Sequence, residues 1–294
     1  MFTGLGAFPL TPLHDDRVDE SAYAGIVERL AVSGVDSITA LGSTGSYAYL
    51  DHDERRRVLR LALAHAGTVP VLAGVGATRT GHVISLAQDA RDAGAAGILV
   101  APVSYQALRD DDVLGLFEDL AAAVDLPVIV YDNPGTTHFT FSLDLYARIA
   151  QLPNVASIKI PGVPADAAAH VAKIRAVIPS RVTIGVSGDA SAAAGLNAGC
   201  DAWYSVIAGT IPAAALAISR PALAGDAAAA TEESARLQPL WDLFAEFGGS
   251  FRVVATIAEV LGLVKPDSMP RPLLPLRAAA RDRVARVVAE LGLS

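Results

Sequence analysis

The chain is predicted to fold as an α/β protein, a (β/α)8 barrel over residues 1–225 with a helical extension over residues 226–294. Three observations carry that expectation: eight strand-length apolar runs, amphipathic stretches between them, and no strand-like run beyond residue 226. The runs are Thr3–Phe8, Val35–Leu41, Val69–Gly74, Gly97–Ala101, Pro127–Tyr131, Val155–Ile160, Val182–Val186 and Ala202–Val206. Most are continuously apolar rather than alternating, as in strands covered on both faces. The intervening stretches Ser21–Val32, His52–Ala66, Gly81–Ala93, Asp111–Ala123 and Ala165–Val177 carry their charge on one side and leave an apolar face for the sheet. Gly34, Gly67 and Gly94 stand where helices should stop, and Pro70 and Pro127 open strands, where a missing N–H costs least. The extension reads as helices at Thr231–Phe247, Phe251–Leu261 and Leu276–Leu291. A doubly wound sheet would show a glycine-rich dinucleotide turn; the nearest candidate, Gly74-Val75-Gly76, has Arg79 where the third glycine belongs.

Composition removes several function classes. A chain of 294 residues that is 52% hydrophobic and 18% charged can bury a large core. A net charge of −8 argues against a nucleic-acid partner. One cysteine, Cys200, rules out an intrachain disulfide framework and a cysteine-rich zinc site, in keeping with a reducing, cytoplasmic setting. Met1 to Leu13 carries no basic residue and does not read as a signal peptide. The long uncharged stretch Ala202–Ser219 contains Ser205, Gly209, Thr210 and Pro212; it is read as a buried strand and a helix start, so no membrane partner is expected.

Active sites of such barrels lie at the C-terminal ends of the strands. Of the three lysines, Lys173 falls in a helix and Lys265 in a connector; only Lys159 lies in an apolar strand. Burial disfavours the ammonium, and a neutral amine can attack a carbonyl to form a Schiff base. The plainer alternative is a structural lysine bonded to carbonyls or a carboxylate. Tyr131 ends the neighbouring strand and is either a proton carrier beside Lys159 or a half-buried residue closing the mouth. Gly42-Ser43-Thr44-Gly45-Ser46 follows strand two, opposite strand six, and could hold a carboxylate on Ser43 and Thr44. A 2-keto acid would then span the mouth toward Lys159. Gly185–Asp189 could cradle phosphate or be an ordinary turn. The six histidines form no metal-ligand pattern, so no metal is expected; a metal-dependent barrel enzyme would need one.

Together these residues resemble the dihydrodipicolinate synthase / N-acetylneuraminate lyase family of pyruvate-dependent aldolases. The resemblance rests on Ala7–Leu13 with Val18-Asp19-Glu20, on Gly42–Gly45, on Tyr131 with Asn133 and Pro134, on Ile158-Lys159, and on Ser187-Gly188-Asp189 and Ser205-Val206. It implies a lyase or synthase that uses no separate cofactor, the substrate being held covalently as a Schiff base on Lys159. It implies Tyr131 as proton shuttle with Thr44 as relay partner, Ser43 and Thr44 on the carboxylate, and the Tyr204 backbone carbonyl facing the keto acid. Thr136, Thr137 and His138 would face the second substrate.

The departures bear on that substrate. Ser46 replaces the glutamate of the GxTGE loop, and Ile160 the glutamate after the lysine. Thr136 stands where dihydrodipicolinate synthases carry a carboxylate-gripping arginine, and the tyrosine that crosses a subunit interface is displaced, Ser104 taking its place with Tyr105 next to it. The expectation is therefore C–C bond making or breaking between pyruvate, or a related 2-keto acid, and an unidentified aldehyde. Two alternatives stand beside it: 4-hydroxy-tetrahydrodipicolinate synthase itself, and a keto-acid-binding sensor without turnover. A homotetramer or homodimer is implied by the resemblance.

Overall fold

Eight parallel strands close on themselves in chain order: β1 (Gly4–Ala7), β2 (Ser37–Ala40), β3 (Val71–Gly74), β4 (Gly97–Val100), β5 (Val128–Tyr131), β6 (Val155–Ile160), β7 (Thr183–Val186) and β8 (Ala202–Ser205), with β8 pairing back onto β1. Each lies within its predicted apolar run. The computed structural model describes residues 2–294, so Met1, part of the stretch read for targeting signals, lies outside the described residues. The architecture is a (β/α)8 TIM barrel.

Strands this apolar form a barrel because both faces are covered. Phe8, Leu72, Leu99, Ile129, Tyr131, Ala202 and Tyr204 fill the interior. Ile38, Ile98, Val100, Val130, Ile158 and Ile184 point outward and share one core with the helices. Gly185 makes the interior possible, since a Cβ there would run into the Tyr204 ring.

Around the barrel lie α1 (Glu20–Ala31), α2 (His52–His65), α3 (Thr80–Ala93), α4 (Asp110–Ala123), α5 (Leu143–Ile149), α6 (Ala167–Arg175), α7 (Ala192–Asn197) and α8 (Pro212–Leu223). Local chemistry sets their ends. Asp51 and Glu54 form a reciprocal capping box on α2, and Gly94 ends α3 with φ +91°, a conformation that costs glycine nothing. A two-stranded hairpin, Leu13–His14 with Arg17–Val18, precedes α1.

The extension holds α9 (Ala227–Arg236), α10 (Gln238–Glu246), α11 (Ser250–Val260) and α12 (Ala279–Glu290). The single helix expected at Thr231–Phe247 is thus two. Pro239 sits in the first turn of α10, where its ring and missing N–H prevent the helix from running on through Leu237. Leu237, Leu240, Val253, Ile257 and Val284 are fully buried in the same core as the barrel helices. Among the described residues no helix is long and apolar enough to cross a membrane.

One irregularity decides which way β6 faces. Val128 is paired with Val155, but the next residue, Ile129, is paired with Ser157, leaving Ala156 surplus. Strand side chains alternate, so one extra residue reverses every face beyond it. Val155 accordingly packs toward the helices, whereas Ser157 accepts a hydrogen bond from the Tyr204 hydroxyl inside the barrel at 2.7 Å. Lys159 follows Ser157 inward.

Candidate active site

Lys159 and Tyr131 are direct neighbours across β5 and β6. Lys159 is 2% exposed, and its Nζ lies 4.0 Å from the centre of the Phe8 ring, 4.6 Å from Tyr131 and 5.8 Å from Tyr204. Its single hydrogen-bond acceptor among the described residues is the Tyr204 carbonyl oxygen, 3.5 Å away. Burial pulls the ammonium from the usual 10.5 down to about 7, against the opposing attraction of the Asp189 carboxylate. A large share of the amine is therefore neutral near physiological pH, which is the state that can act as a nucleophile.

Tyr131 is buried beside it. Its hydroxyl lies 3.3 Å from Ser43 Oγ and accepts a hydrogen bond from Asn133 Nδ2 at 2.7 Å. Burial raises the phenol above its ordinary value, while the Ser43 and Asn133 hydrogen bonds hold it back. The hydroxyl that reaches Tyr131 is Ser43, not Thr44. Thr44 is buried in the same loop and makes no hydrogen bond to the phenol. That loop presses against β3 so closely that a Cβ on Gly74 would overlap the Leu41 carbonyl.

The remaining expected residues are scattered around the mouth. The Tyr204 carbonyl faces Lys159, while its phenol is used inside the barrel on Ser157. Thr136 and His138 are exposed at a four-residue helix, Pro134–Thr137, which His138 ends in the left-handed region; Thr137 is buried and donates to the Asn133 carbonyl. Tyr105 is 94% exposed and makes no hydrogen bond to Tyr131 or Ser43 within the chain. Asp189 is consumed structurally. Its carboxylate accepts from Trp203 Nε1 and from the Val206 and Ile207 N–H groups at 2.9–3.2 Å, tying β7 to β8. A carboxylate so placed opposes a phosphate, and the ordinary-turn reading of Gly185–Asp189 is the one that fits.

Three further residues of this neighbourhood carry little signal of their own in the sequence pattern. Asn133 stands only as a member of the run Tyr131-Asp132-Asn133-Pro134. Phe8, the nearest ring to Nζ, ends the first apolar run, a position that could have marked it. Tyr47, half-buried after β2, has its phenol pushed up to about 12 chiefly by burial and carries the buried Arg55 guanidinium over its ring at 5.3 Å. Among the described residues no group of three metal-ligating side chains converges.

A closed parallel barrel with a buried lysine and a tyrosine side by side at its mouth is the framework of an enzyme suited to carbonyl chemistry. The comparisons make the family explicit: the sequence model of the dihydrodipicolinate synthetase family matches residues 1–291, and the chain belongs to that family. Relatives named 4-hydroxy-tetrahydrodipicolinate synthase, from Parvibaculum lavamentivorans and Phenylobacterium zucineum, are each 33% identical over 100% of this chain and 99% and 98% of their own. Among solved structures, a dihydrodipicolinate synthase from Agrobacterium tumefaciens is 44% identical, with a TM-score of 0.94 over 99% of this chain and 98% of its own. One from Acinetobacter baumannii, solved in complex with pyruvate, is 27% identical with a TM-score of 0.91 over 100% of both chains.

Proposed function

We propose that the chain is a Schiff-base lyase or synthase that takes pyruvate or a closely related 2-keto acid. The observation that carries this reading is Lys159, a buried amine held near neutrality and paired across the sheet with Tyr131. The neutral Nζ adds to the keto carbon while a proton moves from nitrogen to the former carbonyl oxygen, giving the carbinolamine. That oxygen leaves as water with a second proton, and the iminium remains. Tyr131 and Ser43 carry these protons. Loss of a C3 proton then gives the enamine that bonds to an aldehyde; the reverse sequence cleaves the product. Ser43 and Thr44 hold the carboxylate, and Lys159 itself holds the substrate without a separate cofactor.

The acceptor is where the supports divide. The names of the relatives favour 4-hydroxy-tetrahydrodipicolinate synthesis, with aspartate semialdehyde as acceptor, and that reading now has the broader support. Thr136 favours a different aldehyde, because a threonine hydroxyl cannot make the bidentate, charged grip of a guanidinium on a carboxylate. The reading includes residues 1–225 as the catalytic domain with residues 226–294 as its extension, a homotetramer or homodimer, and a cytoplasmic setting.

Borohydride reduction with pyruvate, followed by peptide mass spectrometry, is expected to leave the keto acid on Lys159. No adduct, or one on Lys173 or Lys265, discards the mechanism. Turnover of pyruvate with aspartate semialdehyde and with a panel of uncharged and sugar-derived aldehydes decides the acceptor. Adduct formation without consumption of any aldehyde would point to a sensor.

A further inference from the structure

The Tyr131 phenol has one proton to give, and the groups around its oxygen determine where that proton goes. The Asn133 amide donates to the oxygen at 2.7 Å, and the other polar atom upon it among the described residues is Ser43 Oγ at 3.3 Å. With one side taken by an incoming donor, the phenol's own proton is directed at Ser43. Asn133 is anchored through its main chain. Its backbone begins the Pro134–Thr137 helix, and its carbonyl accepts from the Thr136 and Thr137 N–H groups and the Thr137 hydroxyl, each at 3.0 Å. Pro134, next in the chain, fixes φ at the first helical position.

We propose that Asn133 is a positioning residue for Tyr131: its side-chain amide holds the phenol oxygen as acceptor, so that the phenol's own proton is exchanged between Tyr131 and Ser43. The inference rests on the proposed function, in that Tyr131 must be the proton carrier for the Lys159 adduct. The donor that sets the direction lies two residues further along the same strand end.

The test is the rate of borohydride-trapped pyruvate adduct on Lys159 across pH in the wild type, Asn133→Ala, Asn133→Asp, Tyr131→Phe and the two Asn133 variants combined with Tyr131→Phe. Asn133→Ala removes the donor and is expected to slow adduct formation about tenfold. Asn133→Asp keeps the shape but replaces a donor by a negative charge. It is expected to slow the reaction more than alanine does and to move the pH profile toward alkali by about one unit, since a phenolate beside a carboxylate is disfavoured. In the Tyr131→Phe background neither substitution is expected to slow the reaction further.

Wild-type rate and pH profile in Asn133→Asp would overturn the inference, as would equal losses with and without the Tyr131 hydroxyl. Should Asn133→Asp fail to fold by its thermal melt, the Asn133→Ala pair with Tyr131→Phe decides alone: a loss that disappears without the hydroxyl supports the inference, and one that persists refutes it. A wild type that forms no adduct defeats the functional reading itself; a normal wild type with indifferent Asn133 variants defeats only the role of Asn133.

Discussion

Burying a lysine among Phe8, Tyr131 and Tyr204 works against the stability of the fold, and the size of that penalty depends on pH. The folded value of Lys159, about 7, lies below the 10.5 of an unfolded lysine, so the folded chain binds fewer protons between those values. Stability therefore rises with pH across that window, and the penalty is complete below it. Lys159→Met, similar in length and uncharged, is expected to stabilise the protein by ~2–5 kcal/mol near pH 6. The gain should fade toward pH 10 in thermal melts at a series of pH values, and the pyruvate adduct should be lost at every pH. For the wild type, the adduct-forming rate should climb as pH rises through about 7, following the free amine. Tyr131→Phe is expected to lower that rate by about a hundredfold and Ser43→Ala by about tenfold, both read by quenched trapping. At this scale the sequence exposed the lysine through its company, a cation in a run of branched apolar residues, and the tyrosine through its place at a strand end. It did not show which loop hydroxyl meets the phenol, since Ser43 and Thr44 are adjacent in sequence and only the path of the turn separates them.

Strands proved more readable than what happens at their ends. Continuous apolar runs can be recognised because a barrel strand is buried on both faces, yet the surplus Ala156 stays hidden: Ser157-Ile158-Lys159-Ile160 alternates, but Val155 and Ala156 are both apolar, and nothing in the pattern says which of them continues the alternation. Helix boundaries followed their caps and glycines, whereas the break at Leu237 depended on how strongly Pro239 weighs against an otherwise helical stretch. The end of β5 carries a second consequence. Asp132, next to Tyr131, is buried with one carboxylate oxygen on the Tyr146 hydroxyl at 2.5 Å and the other without a partner. Burial pushes it up from 3.8 to about 6, against the Tyr146 hydrogen bond, so the folded chain keeps its proton longer than the unfolded one. The stability tied to the protonated form is present below the unfolded value and lost as pH rises through about 6. Asp132→Asn is expected to raise stability by about 2–3 kcal/mol at pH 7.5 and to change it little at pH 4, as read by denaturant melts at both values.

Over the whole molecule, barrel and extension are joined by one core. Leu237, Leu240, Val253, Ile257 and Val284 are buried among the same residues that back the strands. A chain ended after Gly225 would expose that surface, and it is expected to lose its cooperative thermal transition by circular dichroism, whereas the full chain keeps it. The closed ring also gives the three rings around Nζ fixed positions, and these treat two positive charges differently. An ammonium can escape a dry surrounding by releasing its proton, and Lys159 does so readily. The iminium proposed for the same nitrogen still has a proton to lose, but its charge is spread over carbon and needs water less, and the electron-rich faces of Phe8 and Tyr131 lie within 5 Å of Nζ to favour it. On the proposed mechanism, the dry, ring-lined centre that penalises a compact ammonium would tolerate the broader cation of the loaded state better.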